Sequence, residues 1–91
     1  MNAPQQGPIA ARMEAKLQAA FSPSRLEVIN ESHMHAGHAG DNGTGESHFR
    51  VRIKADSLGN QTRVAQHRAI NTALAEELSG AVHALAIDVQ R

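Results

Sequence analysis

Residues 48–54, HFRVRIK, alternate between apolar and polar side chains and predict a half-buried β-strand. The apolar members occupy every second position and are Phe49, Val51 and Ile53. The polar members occupy the remaining positions and are His48, Arg50, Arg52 and Lys54. Because successive side chains of a strand point to opposite faces, we expect the apolar set to line a core and the polar set to face away from it.

Two further elements are predicted on the N-terminal side of this strand. Residues 26–30, LEVIN, are aliphatic and β-branched and predict a short strand. Between residues 9 and 21 an apolar side chain recurs at every fourth position, which indicates an amphipathic helix; these side chains are Ile9, Met13, Leu17 and Phe21. Pro8 suits the first position of that helix, and residues 22–24, SPS, end it.

The segment between the two strands is rich in glycine and histidine. Residues 33–47, HMHAGHAGDNGTGES, have no apolar period and predict a long loop. A long loop inside a small domain more often serves a function than not. Its histidines are His33, His35 and His38. On the residues alone, they form either a solvated loop or a metal-binding one.

The C-terminal half of the chain predicts a turn, a helix and a strand. Residues 56–60, DSLGN, indicate a turn. Residues 62–78 form a second amphipathic helix that ends at Ser79-Gly80, with Val64, Ile70, Leu74 and Leu78 on one side. Residues 82–89 are almost continuously apolar, which is typical of a strand well covered by its neighbours.

The order of these elements, α-β-β-α-β, predicts an α+β fold. The first two strands can pair as an antiparallel hairpin across the long loop. The second helix provides a crossover that favours a parallel position for the last strand. We therefore expect a two-layer sandwich with helices on one face of a three-stranded mixed sheet.

The amino-acid composition limits the number of domains and the kinds of binding and chemistry that the chain can support. At 91 residues, of which 41% are hydrophobic, the chain has material for one core and one domain. Nine basic and nine acidic residues balance, which argues against strong bulk attraction to nucleic acid or an anionic membrane. The sequence contains no cysteine, so disulfides and thiol chemistry are excluded. A metal must be held through histidine or carboxylate, or be shared with a partner that supplies sulfur.

The start of the chain and its hydropathy predict a soluble cytoplasmic protein. Residues 1–8 are polar and are interpreted as a disordered leader, without the basic and apolar regions of a signal peptide. No apolar run approaches the roughly 20 residues of a membrane span.

Several motifs resemble the BolA family in the order that the family shows. They are Leu26-Glu27-Val28, Glu31-Ser32, Glu46-Ser47-His48-Phe49-Arg50-Val51, Gln66-His67-Arg68, Ala73-Leu74-Ala75-Glu76-Glu77-Leu78 and Val82-His83-Ala84-Leu85-Ala86-Ile87. The likeness extends from about Ile9 to Val89. It implies a fold like the class II KH domain, with a BolA-like domain over residues 9–91.

The resemblance also implies a partner and a cofactor. BolA-like proteins share a 2Fe–2S cluster with a monothiol glutaredoxin, whose own thiol and bound glutathione supply thiolates. The resemblance assigns His83 as one ligand and His35 as the second, since Glu31-Ser32 stands three residues before it; His33 and His38 are its rivals. Alone, the chain is expected to hold no cofactor and to be a monomer or weak homodimer.

The chemistry of imidazole is compatible with this assignment. Histidine replaces cysteine on one iron of Rieske 2Fe–2S centres, so a cysteine-free chain can contribute in this way. On the residues alone, the favoured interpretation of His83 is a satisfied core histidine in phase with Leu85 and Ile87, and the resemblance is what favours a ligand. A zinc hydrolase is disfavoured because no glutamate base accompanies the loop histidines.

The remaining candidate residues are basic. Arg50, Arg52 and Lys54 form either a solvated face or a contact for an acidic partner, glutathione or phosphates. Arg68 lies at the edge of the second helix's apolar face, while His67 falls within that face and is expected to be packed.

We therefore predict a non-enzymatic iron–sulfur assembly, trafficking or iron-sensing factor. The alternative is a KH-like nucleic-acid-binding transcriptional regulator with weak DNA binding. Gln66, where many family members are basic, disfavours that alternative. So does the position of the Gly-x-x-Gly of residues 37–40 between two strands, away from the place where KH domains carry it.

Overall fold

The computed structural model describes residues 7–32 and 46–91. In chain order, its elements are α1 (Pro8–Phe21), β1 (Arg25–Asn30), β2 (His48–Lys54), α2 (Asp56–Gly59), α3 (Arg63–Ala73), α4 (Ala75–Ser79) and β3 (Ala84–Gln90).

The three strands form one mixed sheet in the order β1-β2-β3. β1 pairs with β2 in an antiparallel register that places Val28 opposite Val51. β3 pairs with the other edge of β2 in a parallel register that places Ile87 beside Val51. The predicted α+β class and three-stranded mixed sheet are confirmed.

The core lies between the sheet and the helices, and the alternating apolar side chains of β2 line it from the sheet side. The apolar residues of β2 are at most 2% exposed. They pack in one cluster with side chains from the helices, of which the largest are Met13, Leu17, Leu58, Ile70 and Leu74. The prediction that Phe49, Val51 and Ile53 face the core is confirmed.

Helix α1 begins at a contact with the far end of the histidine-bearing segment. Pro8 occupies its first turn, and the Glu46 Oε2 atom accepts hydrogen bonds from the backbone N–H groups of Ile9 (3.1 Å) and Ala10 (3.3 Å). A Cβ atom at Gly7 would overlap the Glu46 carboxyl group, so glycine permits this close approach. Helix α1 therefore holds residue 46 at the edge of the core.

Three predictions for residues 56–78 are wrong. The expected turn is the short helix α2, whose Leu58 is fully buried. The expected single helix is divided at Leu74, whose backbone (φ −106°, ψ 19°) leaves helical geometry while its side chain stays buried. Val64, predicted on the apolar side, is 61% exposed. Gln66 is buried instead, and its amide Nε2 satisfies its hydrogen bonding by donating to the Leu58 carbonyl oxygen at 2.8 Å.

The last strand is less covered than predicted. It spans Ala84–Gln90 instead of residues 82–89, and its side chains are half-buried or exposed. The reason is its place in the sheet: β3 has β2 as its strand neighbour on one side and forms an edge on the other. Across the described parts of the chain, no helix is long and apolar enough to cross a membrane.

Candidate functional site

His83 lies in the short connection between α4 and β3, and its side chain is exposed. Its backbone N–H donates to the Ser47 carbonyl oxygen at 2.8 Å, and the preceding Val82 N–H donates to the Glu77 carbonyl oxygen at 3.0 Å. The prediction that His83 starts a buried strand is therefore wrong. The backbone is anchored on both sides while the imidazole is presented at the surface.

A buried serine hydroxyl joins the two ends of the segment that carries the other candidate ligands. The Ser32 Oγ atom accepts hydrogen bonds from the N–H groups of Ser47 (2.9 Å) and His48 (3.0 Å). Ser47 in turn accepts from His83 through its carbonyl oxygen. Ser32, Ser47 and His83 therefore form a continuous chain of contacts, which we call the serine bridge.

Residue 48 departs from the alternation of its strand. His48 was predicted to face outward, but it is only 7% exposed, and its Nδ1 atom lies 2.8 Å from the Ser47 Oγ atom. This contact between His48 and Ser47 was not predicted from the sequence. The available signal was the repeated Glu-Ser pair, residues 31–32 and 46–47, on either side of the loop.

The loop histidines His33, His35 and His38 lie outside the described residues, so the choice among them stays a prediction. Within residues 7–32 and 46–91, no group of three His, Asp or Glu side chains could hold a metal ion. A metal ion bound at His83 would therefore need its other ligands from outside these residues.

The basic residues of β2 lie on the open face of the sheet, but two of them have acidic partners. The Arg50 Nε atom lies 2.9 Å from the Glu31 Oε2 atom. The Arg52 guanidinium lies 3.8 Å from Glu27 and 3.9 Å from Asp88. These carboxylates compensate the charge of both arginines, which weakens them as phosphate contacts.

Lys54, Arg68 and His67 differ from these two arginines in their surroundings. Lys54 is exposed at the end of β2, Arg68 is exposed on α3, and His67 is half-buried. The structure therefore does not bring Arg68 into the row formed by Arg50, Arg52 and Lys54.

A family model described as BolA-like protein matches residues 17–91. The chain belongs to the BolA family.

Relatives within the BolA family cover most of the chain. An uncharacterized protein in the cobS 5' region of Sinorhizobium sp is 57% identical over 84% of this chain and 83% of its own. The DNA-binding transcriptional regulator BolA of Escherichia coli K12 is 47% identical over 87% of this chain and 71% of its own. Human BolA-like protein 1 is 44% identical over 92% of this chain, which spans only 58% of that longer relative.

Solved BolA structures have the same fold. The BolA domain of SufE1 from Arabidopsis thaliana superposes with a TM-score of 0.84 at 36% identity and covers 93% of both chains. The solution structure of BolA1 from Mus musculus superposes with a TM-score of 0.76 at 44% identity, covering 91% of this chain and 64% of that one. The expected BolA-like fold is confirmed.

In this BolA domain, a buried carboxylate supports the connection to His83. Glu77 is 1% exposed, and its Oε2 atom lies 2.8 Å from the Lys16 Nζ atom and 3.3 Å from the Arg12 guanidinium. Burial raises the pKa of Glu77, but the hydrogen bond from Lys16 and further favourable contacts outweigh it and hold that pKa below its ordinary value. Glu77 therefore stays ionised and fastens α4 to α1, while its carbonyl oxygen holds Val82.

The Glu77 contacts predict a pH-dependent contribution to stability. Glu77→Gln should lower the free energy of unfolding at pH 7 by about 1 kcal/mol, since Lys16 and Arg12 are partly screened by solvent. Because the folded-state pKa is lowered, this difference should disappear as pH falls below the ordinary glutamate value of about 4.3. Urea denaturation at several pH values measures it. Glu14→Gln on α1, the helix that carries Arg12 and Lys16, is the control, and an equal loss there would contradict the assignment.

Proposed function

We propose that this BolA-family protein is a non-enzymatic factor that shares a 2Fe–2S cluster with a monothiol glutaredoxin. His83 supplies one ligand and a loop histidine supplies the second, with His35 preferred over His33 and His38. The serine bridge is the observation that carries the proposal. It ties the base of the histidine-bearing segment to the residue that anchors His83.

The donor set fits a shared cluster better than a resident one. The chain has no thiolate to hold a cluster alone, whereas neutral imidazole is an established ligand to iron. His83 is exposed, which suits a ligand offered to a cluster at an interface with a partner. When bound, the cluster would supply the redox or iron-sensing chemistry. This chain would orient the imidazole through the backbone contact to Ser47.

Reconstitution tests the proposal directly. The isolated protein, given iron, sulfide and glutathione, should stay colourless because it lacks thiolates. A monothiol glutaredoxin treated alike should take up a cluster by itself. Adding this protein should change its visible absorption and circular dichroism spectra, with an end point near one equivalent per glutaredoxin. An unchanged spectrum at excess would contradict the proposal.

A second candidate function is DNA binding in transcriptional regulation. Relatives of 47% and 44% identity, from Escherichia coli and Vibrio cholerae, are named DNA-binding transcriptional regulators. Since Arg50 and Arg52 are engaged by carboxylates and the net charge is zero, binding to duplex DNA should be weak and should fall steeply with salt.

A further inference from the structure

Among the described residues, five basic side chains have no acidic partner, and all of them except Arg68 gather at one end of the domain. We infer that this cationic end, formed by Arg25, Lys54, Arg63 and Arg91, binds the phosphodiester backbone of nucleic acid independently of the His83 end. The inference rests on the second proposed function and assigns it a surface that shares only Lys54 with the row formed by Arg50, Arg52 and Lys54.

Strand register and one side-chain contact bring these residues to the same end. Arg25 pairs with Lys54 across β1 and β2, and Lys54 lies beside Gln90 of β3, directly before Arg91. The Arg91 guanidinium donates to the carbonyl oxygens of Gly59 (2.8 Å) and Gln61 (3.3 Å). These carbonyls precede α3, whose first residue is Arg63.

The four side chains of the cationic end are exposed. Within the described ranges, no ion pair engages any of them, whereas Arg12, Lys16, Arg50 and Arg52 all have carboxylate partners. Two exposed acidic residues line the clefts at this end, Asp56 and Glu27, and Glu27 lies 3.8 Å from Arg52. The end therefore has a net positive charge although the whole chain is neutral.

Two shallow clefts flank Lys54 and Arg25, and each has charged and amide side chains among its lining residues. The first, of about 320 Å³, has Lys54, Asn60, Gln90 and Arg91 among its lining residues. The second, of about 360 Å³, has Arg25, Arg52 and Gln90 among its lining residues. Amide groups beside cations are the donors that commonly contact phosphate and sugar oxygens. An extended phosphodiester backbone fits this arrangement without base-specific contacts.

The length of β3 separates the cationic end from His83. Ala84 directly follows His83, and Gln90 lies six residue steps further, about 20 Å along an extended strand. This separation exceeds the Debye length of about 8 Å at physiological ionic strength. Charges at the two ends are therefore largely screened from each other, and binding at one end is expected to be electrostatically independent of binding at the other.

The test compares two variants of equal net charge. Arg25→Gln/Lys54→Gln should weaken binding of a short labelled DNA duplex at low salt by about tenfold and reduce the slope of log affinity against log salt by about 2. Arg50→Gln/Arg52→Gln loses the same charge and should weaken binding less than the first variant does, because both arginines already have carboxylate partners and only Arg52 lines a cleft of the cationic end. Fluorescence anisotropy measures both, and circular dichroism checks folding.

Four other results would overturn the inference, each in a different way. A larger loss in the Arg50/Arg52 variant would place DNA on the centre of the sheet and leave the second proposed function standing. No binding by the unaltered protein at low salt would overturn both. Equal affinity for a polyglutamate peptide with the same salt slope would assign the surface to acidic proteins. Competition between DNA and the cluster-loaded glutaredoxin complex would overturn the independence of the two ends.

Discussion

His83→Ala will abolish the spectrum of the mixed cluster complex while the protein stays folded. Loss of a residue that merely supports a metal ligand already weakens metal binding 10- to 100-fold, so loss of the ligand itself should exceed about 100-fold. The side chain is exposed and its contact to Ser47 is made by the backbone, so the free energy of unfolding should change by less than about 0.5 kcal/mol. Titration of the glutaredoxin, followed by circular dichroism, measures the effect.

Variants of other histidines serve as comparisons for His83→Ala. His67→Ala removes a half-buried imidazole of α3 and should leave the mixed spectrum intact. His35→Ala should have a smaller effect than His83→Ala, since His33 and His38 lie two and three residues away along the chain. Replacing all three together should match His83→Ala. A folded His83→Ala protein that still gives the mixed spectrum would remove His83 from the ligand set.

The second large effect is expected at the serine bridge. Ser32→Ala should lower the free energy of unfolding by about 2–3 kcal/mol, because two buried backbone N–H groups, those of Ser47 and His48, lose their acceptor. It should also weaken cluster sharing under conditions where the variant is folded, since the base of the histidine-bearing segment is no longer tied to Ser47. Urea denaturation measures the first effect, and the glutaredoxin titration measures the second.

Two substitutions separate the hydroxyl of Ser32 from other causes. Ser32→Thr keeps an oxygen acceptor and should recover most of the cluster sharing. Ser24→Ala removes an exposed hydroxyl that donates to the Lys54 carbonyl oxygen at 3.2 Å and should cost less than about 0.5 kcal/mol. If Ser32→Ala and Ser24→Ala prove equally stable, or if Ser32→Ala shares the cluster as the unaltered protein does, the role assigned to the bridge is wrong.

The architecture was predictable because local patterns and global fold agree. The two-residue period over residues 48–54 and the four-residue period of α1 each correspond to one buried face in the structure. The boundaries within residues 56–79 were not predictable in the same way. The break at Leu74 and the burial of Gln66 depend on hydrogen bonds and packing between helices, which a single helical period does not contain.

The candidate site was predictable in its residue types but not in its environment. Histidine as the donor follows from the absence of cysteine, and His83 from the resemblance to BolA proteins. The burial of His48 and the exposure of His83 reverse what alternation predicts, because serine groups and backbone contacts set these two positions. The basic residues of β2 were considered as phosphate contacts without regard to the neighbouring strands. Glu27 of β1 and Asp88 of β3 lie beside Arg52 and provide carboxylate partners for it.

The sequence by itself determined the first helix, the order of the three strands, the mixed sheet, the BolA family and the chemical class of the candidate ligands. These depend on the periodicity, composition and order of residues along the chain. Only the tertiary structure decided that Ser32 and Ser47 join the two ends of the loop to His83, that Glu77 anchors the connection before it, and that unpaired cations gather about 20 Å away. Such contacts join residues far apart in the chain, and their free energy depends on burial, register and partner charges that exist only after folding.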